Sequence, residues 1–319
     1  MGSFFKSPID IEISFDGEED RRHIELNNGS GSGSKTLVDR LPVYEDGESV
    51  SGSATIRVKE GKKIEHLGIR VSLIGCIDML SVGAGSSNGN HVEGRKRSVD
   101  EYLVLNQDVC SSGVLSESKS FDFMFKDVSK QYESYRGTNV DVNYYVKVSV
   151  QRKGADISKT KKFWVWLYGK DKGADETNGG KAIKLDIGIE NCLHIEFEYS
   201  KNRYGLKDVI VGRIYFLLTR LKIRHMELSI ITRESSLMHG KNKTCDNTAV
   251  RYEIMDGSPV KGETIPIRLF LGGHELVPTM SCNKFTVKNY LSLVIIDEDG
   301  RRYFKQSEIE FARLRGGEA

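Results

Sequence analysis

The side chains with the chemistry to do work in this 319-residue chain are few and scattered. His194 and Glu196 stand two apart, so on a strand both would project from one face and could offer a metal two ligands. No third ligand is evident, and an ordinary pair on a strand surface explains them equally well. His66 and His225 occupy matched contexts, Ile64-Glu65-His66-Leu67 and Ile223-Arg224-His225-Met226, which points to a shared structural role near a strand start. Catalysis by either would need a nucleophile partner, and the chain offers no nucleophile elbow between a strand and a helix. Gly29-Ser30-Gly31-Ser32-Gly33-Ser34-Lys35-Thr36 superficially resembles a phosphate-cradling loop but lacks the glycine directly before the lysine and any strand-loop-helix context. Lys159-Thr160-Lys161-Lys162-Phe163-Trp164-Val165-Trp166 interleaves basic and aromatic residues as single-strand nucleic-acid binders do, yet it reads more simply as alternation on a sheet. No catalytic residue, metal site or cofactor is assigned.

Bulk composition narrows the classes further. Forty-seven basic residues against 45 acidic ones leave a formal charge of +2, which supplies no general attraction to nucleic acid or to an anionic membrane. Such a contact would have to be local. Cys76, Cys110, Cys192, Cys245 and Cys282 are odd in number and form no Cys-x-x-Cys pair, so neither a disulfide framework nor a zinc site is indicated and a reducing compartment is expected. Met1-Gly2-Ser3-Phe4-Phe5-Lys6 has lysine where the acylation motif needs Ser or Thr. No apolar run approaches the roughly 18 residues needed to span a bilayer. The expectation is a soluble intracellular protein.

The elements that would carry any site are strands. Ile9, Ile11, Ile13 and Phe15 alternate with polar residues and end at Asp16-Gly17. Further alternation covers Val50 to Val58, Ile69 to Ile77, Phe121 to Phe125, Val140 to Val150 and Phe163 to Tyr168. In the second half, strands are expected at 193–199, 207–219, 223–231, 249–255, 264–271, 284–296 and 301–311, with Asp299-Gly300 as a hairpin signal. Only 99–109, with Val99, Tyr102, Leu103 and Asn106 at helical spacing, reads as a short helix. Residues 27–36 and 83–98 read as polar loops.

The chain also repeats itself. Ser49-Val50-Ser51-Gly52, preceded by Asp46 or Glu48, matches Val209-Ile210-Val211-Gly212, preceded by Asp208, and the two histidines follow at similar distances. Val142-Asn143-Tyr144-Tyr145-Val146-Lys147-Val148 matches Val287-Lys288-Asn289-Tyr290-Leu291-Ser292-Leu293. The offsets are domain-sized. The reading is all-β, two tandem β-sandwiches: 1–168, a linker at 169–182, and 183–319.

One stretch has no chemistry but an unusual surface: Tyr252-Glu253-Ile254-Met255-Asp256-Gly257-Ser258-Pro259-Val260-Lys261-Gly262-Glu263. Ile254 and Met255 are consecutive, so on a regular strand one should emerge beside the Asp256-Gly257 turn. Either both are buried at a sheet corner, or the emergent one anchors a partner.

Several blocks closely resemble the arrestin-like subunit of retromer, vacuolar protein sorting twenty-six. They are Glu190 to Tyr199, Leu206 to Leu218, Tyr252 to Pro266, Arg301 to Gln306, Asp46 to Gly52 and Tyr132-Glu133-Ser134-Tyr135. The resemblance implies two arrestin-like β-sandwiches and a non-enzymatic role on the cytosolic face of endosomes, returning transmembrane cargo to the Golgi or plasma membrane. It implies that Ile254 and Met255, with Tyr252, Asp256 and Gly257 around them, dock on the α-solenoid large subunit, vacuolar protein sorting thirty-five. It further implies a groove shared with a sorting nexin, lined by Ile187 and Phe304, that takes cytosolic cargo tails by strand addition. Asp46 matches a contact to a PDZ-containing sorting nexin, although Glu45 adds a residue before it. Membrane association would be indirect and peripheral. The nearest alternative is an arrestin-like subunit of a related endosomal recycling assembly.

Overall fold

The structure, a computed structural model, describes residues 7–28, 37–81, 96–169, 182–238 and 241–315. Most of the loops expected at 27–36 and 83–98, the linker at 169–182, the Gly29–Thr36 run and the first six residues lie outside those described. The chain divides into two compact units, Met1–Arg136 with Val140–Leu167, and Gly137–Asn139 with Tyr168–Ala319. Among the described residues no helix is long and apolar enough to cross a membrane.

The first unit contains β1 (Ile9–Phe15), β2 (His23–Asn28), β3 (Leu37–Glu45), β4 (Val50–Val58) and β5 (Ile64–Ser81). It continues with β6 (Lys96–Leu115), β7 (Lys119–Phe125), β8 (Tyr135–Arg136), β9 (Val140–Gln151) and β10 (Ile157–Trp166). One sheet runs β1-β4-β7, the other β2-β3-β10-β9-β5-β6 with β8 on β9. Alternation decides which face is covered: Ile9, Ile11, Ile13 and Phe15 are all buried, with exposed residues between them. The Phe15 ring meets Tyr44 and Phe163 of the facing sheet edge-on, at 5.9 and 5.8 Å. The unit is therefore a sandwich.

The second unit contains β11 (Ile183–Ile189), β12 (Leu193–Tyr199), β13 (Arg203–Gly205), β14 (Val209–Thr219) and β15 (Ile223–Met238). Then come β16 (Lys241–Asp256), β17 (Thr264–Phe270), β18 (Met280–Ser281), β19 (Phe285–Asp297) and β20 (Arg302–Ala312). Its sheets run β11-β12-β14-β17 and β13-β20-β19-β15-β16, with β18 on β19. Leu185, Phe197 and Ile214 from the first sheet share one buried cluster with Leu228, Leu293 and Phe311 from the second.

Strand for strand the units correspond. The strands β1, β4 and β7 have the pairing of β12, β14 and β17, while β6-β5-β9-β10 has that of β16-β15-β19-β20. Even the exception is repeated: β3 pairs with β10 in parallel, as β13 does with β20. The sequence repeat lies on these equivalent strands and has physical causes. A Cβ on Gly52 would sit 2.0 Å from the carbonyl oxygen of Ser14, and one on Gly212 would sit 2.5 Å from that of Glu198. Only a hydrogen fits where these backbones approach. The acidic residue is equally specific. Glu48 accepts from the backbone N–H of Glu45 (2.9 Å) and Asp208 from that of Gly205 (3.0 Å), so Glu48 and not Asp46 is the counterpart of Asp208. Arg21 pairs with Glu48 at 2.6 Å and lies 3.8 Å over the Tyr44 ring. Lys201 pairs with Asp208 at 2.7 Å and lies 5.0 Å over Tyr204. Burial works against the Glu48 carboxylate, yet the Arg21 hydrogen bond holds its pKa below the ordinary value.

One expectation is overturned. Residues 99–109 are not helical but lie within β6. The register passes from Gly75↔Leu103 to Cys76↔Glu101, leaving Tyr102 as an extra, bulged residue. The bulge breaks the two-residue alternation and makes Tyr102 and Leu103 adjacent apolar positions, which imitates helical spacing. Gly75 makes room for it, since a Cβ there would lie 3.0 Å from the Tyr102 ring.

Gly52→Ala and Gly212→Ala are each expected to destabilise the protein by about 3 kcal/mol, through a clash with a backbone oxygen that cannot move aside. Gly188→Ala, where an added Cβ meets nothing within 4 Å, should leave the calorimetric melt unchanged or slightly raised.

Candidate functional site

The end of β16 departs from regular alternation. Its register against β15 runs His225↔Asp256, Met226↔Met255, then Glu227↔Glu253, so Ile254 is an extra residue in a β-bulge. The alternation argument that one of Ile254 and Met255 emerges alone does not hold across a bulge. Both are half-buried, and both pack with Tyr252 against the core cluster. Asp256 is exposed, and Gly257 adopts φ +107°, a conformation that strains any other residue.

The segment that follows is tied down by its backbone. Gly257 N–H donates to Arg224 (2.9 Å), Gly262 N–H donates to Phe216 (2.8 Å), and Phe216 N–H donates to Glu263 (3.1 Å). The Ser258 hydroxyl donates to the carbonyl of Ile223 at 2.9 Å. Pro259 is buried, whereas Val260 is 73% exposed in a turn closed by Glu263. Sequence reading did not single out Val260. Its signal is an apolar residue inside a Gly-Ser-Pro-Val-Lys-Gly turn. The bulge leaves Ile254 and Met255 half-buried, and the turn that follows holds an exposed Val260 on a hydrogen-bonded backbone. This arrangement can bind an apolar surface and offers no reactive group. His225 backs the bulge, 3.6 Å from Glu227 and 3.7 Å from Glu253.

The other expected site residues are dispersed. Ile187 lies on β11 opposite Ile195, only 7% exposed and part of the core. Phe304 lies on β20 opposite Val294 and is 59% exposed, while its neighbour Tyr303 packs on the core. The two side chains therefore occupy different faces, interior and exterior. Among the described residues β11 is one of the two outer strands of its sheet and pairs with β12 alone, leaving one edge without a strand partner.

Asp46 is exposed at the β3–β4 turn, and its Oδ1 accepts the backbone N–H of Lys130 at 2.7 Å. Lys130 is 2% exposed, with its Nζ donating to the carbonyls of Glu45 (2.7 Å), Glu48 (2.7 Å) and Val128 (3.1 Å). Burial pushes its pKa down to about 8, with Glu48 and Asp46 opposing. A buried ammonium thus ties two carbonyls of the turn that displays Asp46, those of Glu45 and Glu48, to the segment carrying Val128. His194 and Glu196 are occupied separately, His194 facing Asp186 at 3.6 Å and Glu196 bound to Lys184 at 2.6 Å. On β10, Phe163 and Val165 point inward, and Lys161 pairs with Glu18.

Lys130→Met should lower stability by about 3 kcal/mol, because three buried acceptors lose their donor. Asp46→Asn keeps an acceptor for Lys130 N–H and should shift the denaturation midpoint by less than about 1 kcal/mol. A severe loss in Asp46→Asn would show that the charge itself holds the turn.

With this geometry described, comparison with known proteins is direct. A family model described as Vacuolar protein sorting-associated protein 26 matches residues 5–300. Carboxypeptidase Y-deficient protein 8 of Saccharomyces cerevisiae is 54% identical, with 99% of this chain and all of that protein covered. Vacuolar protein sorting-associated protein 26 of Schizosaccharomyces pombe is 43% identical, with 99% of each chain covered. Its namesake in Dictyostelium discoideum is 42% identical over 97% of this chain and 83% of its own length. A match over nearly the whole sequence and high identity to full-length relatives carry one conclusion: the chain belongs to the Vacuolar protein sorting-associated protein 26 family, a family of arrestin-like protein sorting components.

Proposed function

We propose that the chain is a non-enzymatic subunit of a retromer-type complex, acting in endosome-to-Golgi and endosome-to-plasma-membrane retrieval of transmembrane cargo. Two sandwich domains, 1–168 and 183–319 joined by 169–182, form its body. It docks on the α-solenoid large subunit, vacuolar protein sorting thirty-five, through Ile254 and Met255, with Tyr252, Asp256 and Gly257 shaping the contact. Cargo tails add as a strand at the edge of β11 near Ile187 and Phe304, together with a sorting nexin, and Asp46 is a further sorting-nexin contact. The protein associates peripherally with the cytosolic face of endosomes through these partners.

The observation that carries this reading is the bulge at Ile254 beside the backbone-clamped turn. A bulge ends regular pairing and re-aims side chains, and here it leaves two consecutive apolar residues half-exposed where alternation would hide one. The turn that follows holds the exposed Val260 on a hydrogen-bonded backbone, so little conformational entropy is lost on binding. An ordered apolar cluster of this kind suits a contact whose affinity is concentrated in a few side chains.

The test is binding of the purified chain to the purified solenoid subunit by calorimetry. An Ile254→Asp, Met255→Asn double variant should bind at least a hundredfold more weakly, since placing a charge and an amide in an apolar contact costs about 3 kcal/mol or more. Both side chains also touch the core, so Val260→Asp is the companion variant. It should weaken binding about tenfold with an unchanged melt. Undiminished binding by both variants would place the interface elsewhere, and no binding by the wild type would favour a different endosomal assembly.

A further inference from the structure

The start of β5 and the end of β6 are to the first unit what the start of β15 and the end of β16 are to the second. In the second unit His225 lies between two carboxylates, Glu227 two residues along its own strand and Glu253 opposite Glu227 in register. In the first unit the corresponding positions are Gly68 and, opposite it, Ser111. The histidine persists but its acids do not. His66 is only 5% exposed, and among the described residues its buried Nδ1 has no hydrogen-bond partner. Burial lowers its pKa below the ordinary 6.5, so near pH 7 the ring is neutral and keeps one N–H to donate.

His66 borders a cavity of about 650 Å³ whose lining also includes Lys63, Arg152 and Lys153, with Glu65 its one acidic residue. Two of its walls are apolar and open: Leu67 is 53% and Val114 56% exposed. The chain carries a formal charge of only +2, so this cluster is a local feature and not a sample of a basic surface. The volume lies in the range of a pocket built for a ligand.

We propose that this cavity binds an acidic peptide segment of a partner protein. One carboxylate takes the place beside His66 that Glu227 and Glu253 hold beside His225, and an apolar neighbour lies on Leu67 and Val114. An inorganic phosphate would satisfy the cations but leave both apolar walls wet, and a flat bilayer surface cannot enter a recess. The site is on the first unit and does not depend on the reading of residues 252–263.

The test titrates a fluorescein-labelled Glu-Leu-Asp-Glu-Leu-Glu peptide with the full chain at low salt and follows anisotropy. Saturable binding is expected. Lys63→Glu combined with Lys153→Glu, both exposed in the wild type, should weaken it at least tenfold, and Leu67→Ser several-fold, with unchanged melts. Val260→Asp should bind as wild type does. Binding that survives the double charge reversal, or no binding at millimolar peptide, overturns the proposal. So does equal affinity for an all-Glu peptide, which would reduce the site to charge attraction. Co-sedimentation with phosphatidylserine vesicles that the charge reversal abolishes, without peptide binding, would assign the cavity to a membrane instead.

Discussion

In each half one glycine, Gly52 in the first and Gly212 in the second, sits where a neighbouring backbone oxygen leaves no room for a side chain, and that constraint sets the geometry around it. Gly52 lies on β4, between β1 and β7, and Gly212 on β14, between β12 and β17, and at each a carbonyl oxygen of the neighbouring strand comes too near for any Cβ. Because side chains alternate, fixing one residue of a strand fixes which residues face inward along its whole length. Phe15 is thereby aimed at Tyr44 and Phe163, and Phe197 and Tyr199 are aimed into the second core. A tyrosine, an acid and a cation brace the turn leading into each of these strands, with Arg21 in one half and Lys201 in the other. The halves share this frame more faithfully than they share sequence.

On the shared frame the two ends have diverged. At the end of β16 a bulge and a clamped turn raise apolar residues, and two carboxylates occupy the histidine behind them. At the end of β6 the matching carboxylates are missing, the histidine has no partner on one nitrogen among the described residues, and a cavity with basic walls opens. One end therefore presents half-buried apolar residues at a bulge and the other a recess with basic walls. Divergence after duplication accounts for both without any change in strand order.

Much of this was legible in the residues. Alternation located most of the longer strands, though not β2 or β3 or the short β8, β13 and β18, the Asp-Gly pairs located turns, and the repeated glycine and acid located the duplication, because each has a direct steric or hydrogen-bonding cause. The bulges were not legible. An extra residue such as Tyr102 or Ile254 changes the side-chain period without changing composition, so it reads as a helix in one case and as ordinary alternation in the other. Long-range choices were equally hidden. Nothing local marks β3 and β13 for parallel pairing, and Lys130 is an ordinary lysine in sequence whose burial depends on two carbonyls, of Glu45 and Glu48, brought to it from a distant turn. Of the expected partner-binding residues, Ile254 and Met255 are half-buried at a bulge and packed on the core, Ile187 belongs to the core, and Asp46 accepts the backbone N–H of Lys130.

The central claim is that the end of β16 and the turn after it form the contact with the solenoid large subunit. Hydrogen exchange on the chain alone and in that complex tests it most directly, because it reports on the wild-type surface without altering the core. The account predicts slowed exchange concentrated in residues 252–263. Protection confined to the first unit, with 252–263 exchanging as in the free chain, would contradict it.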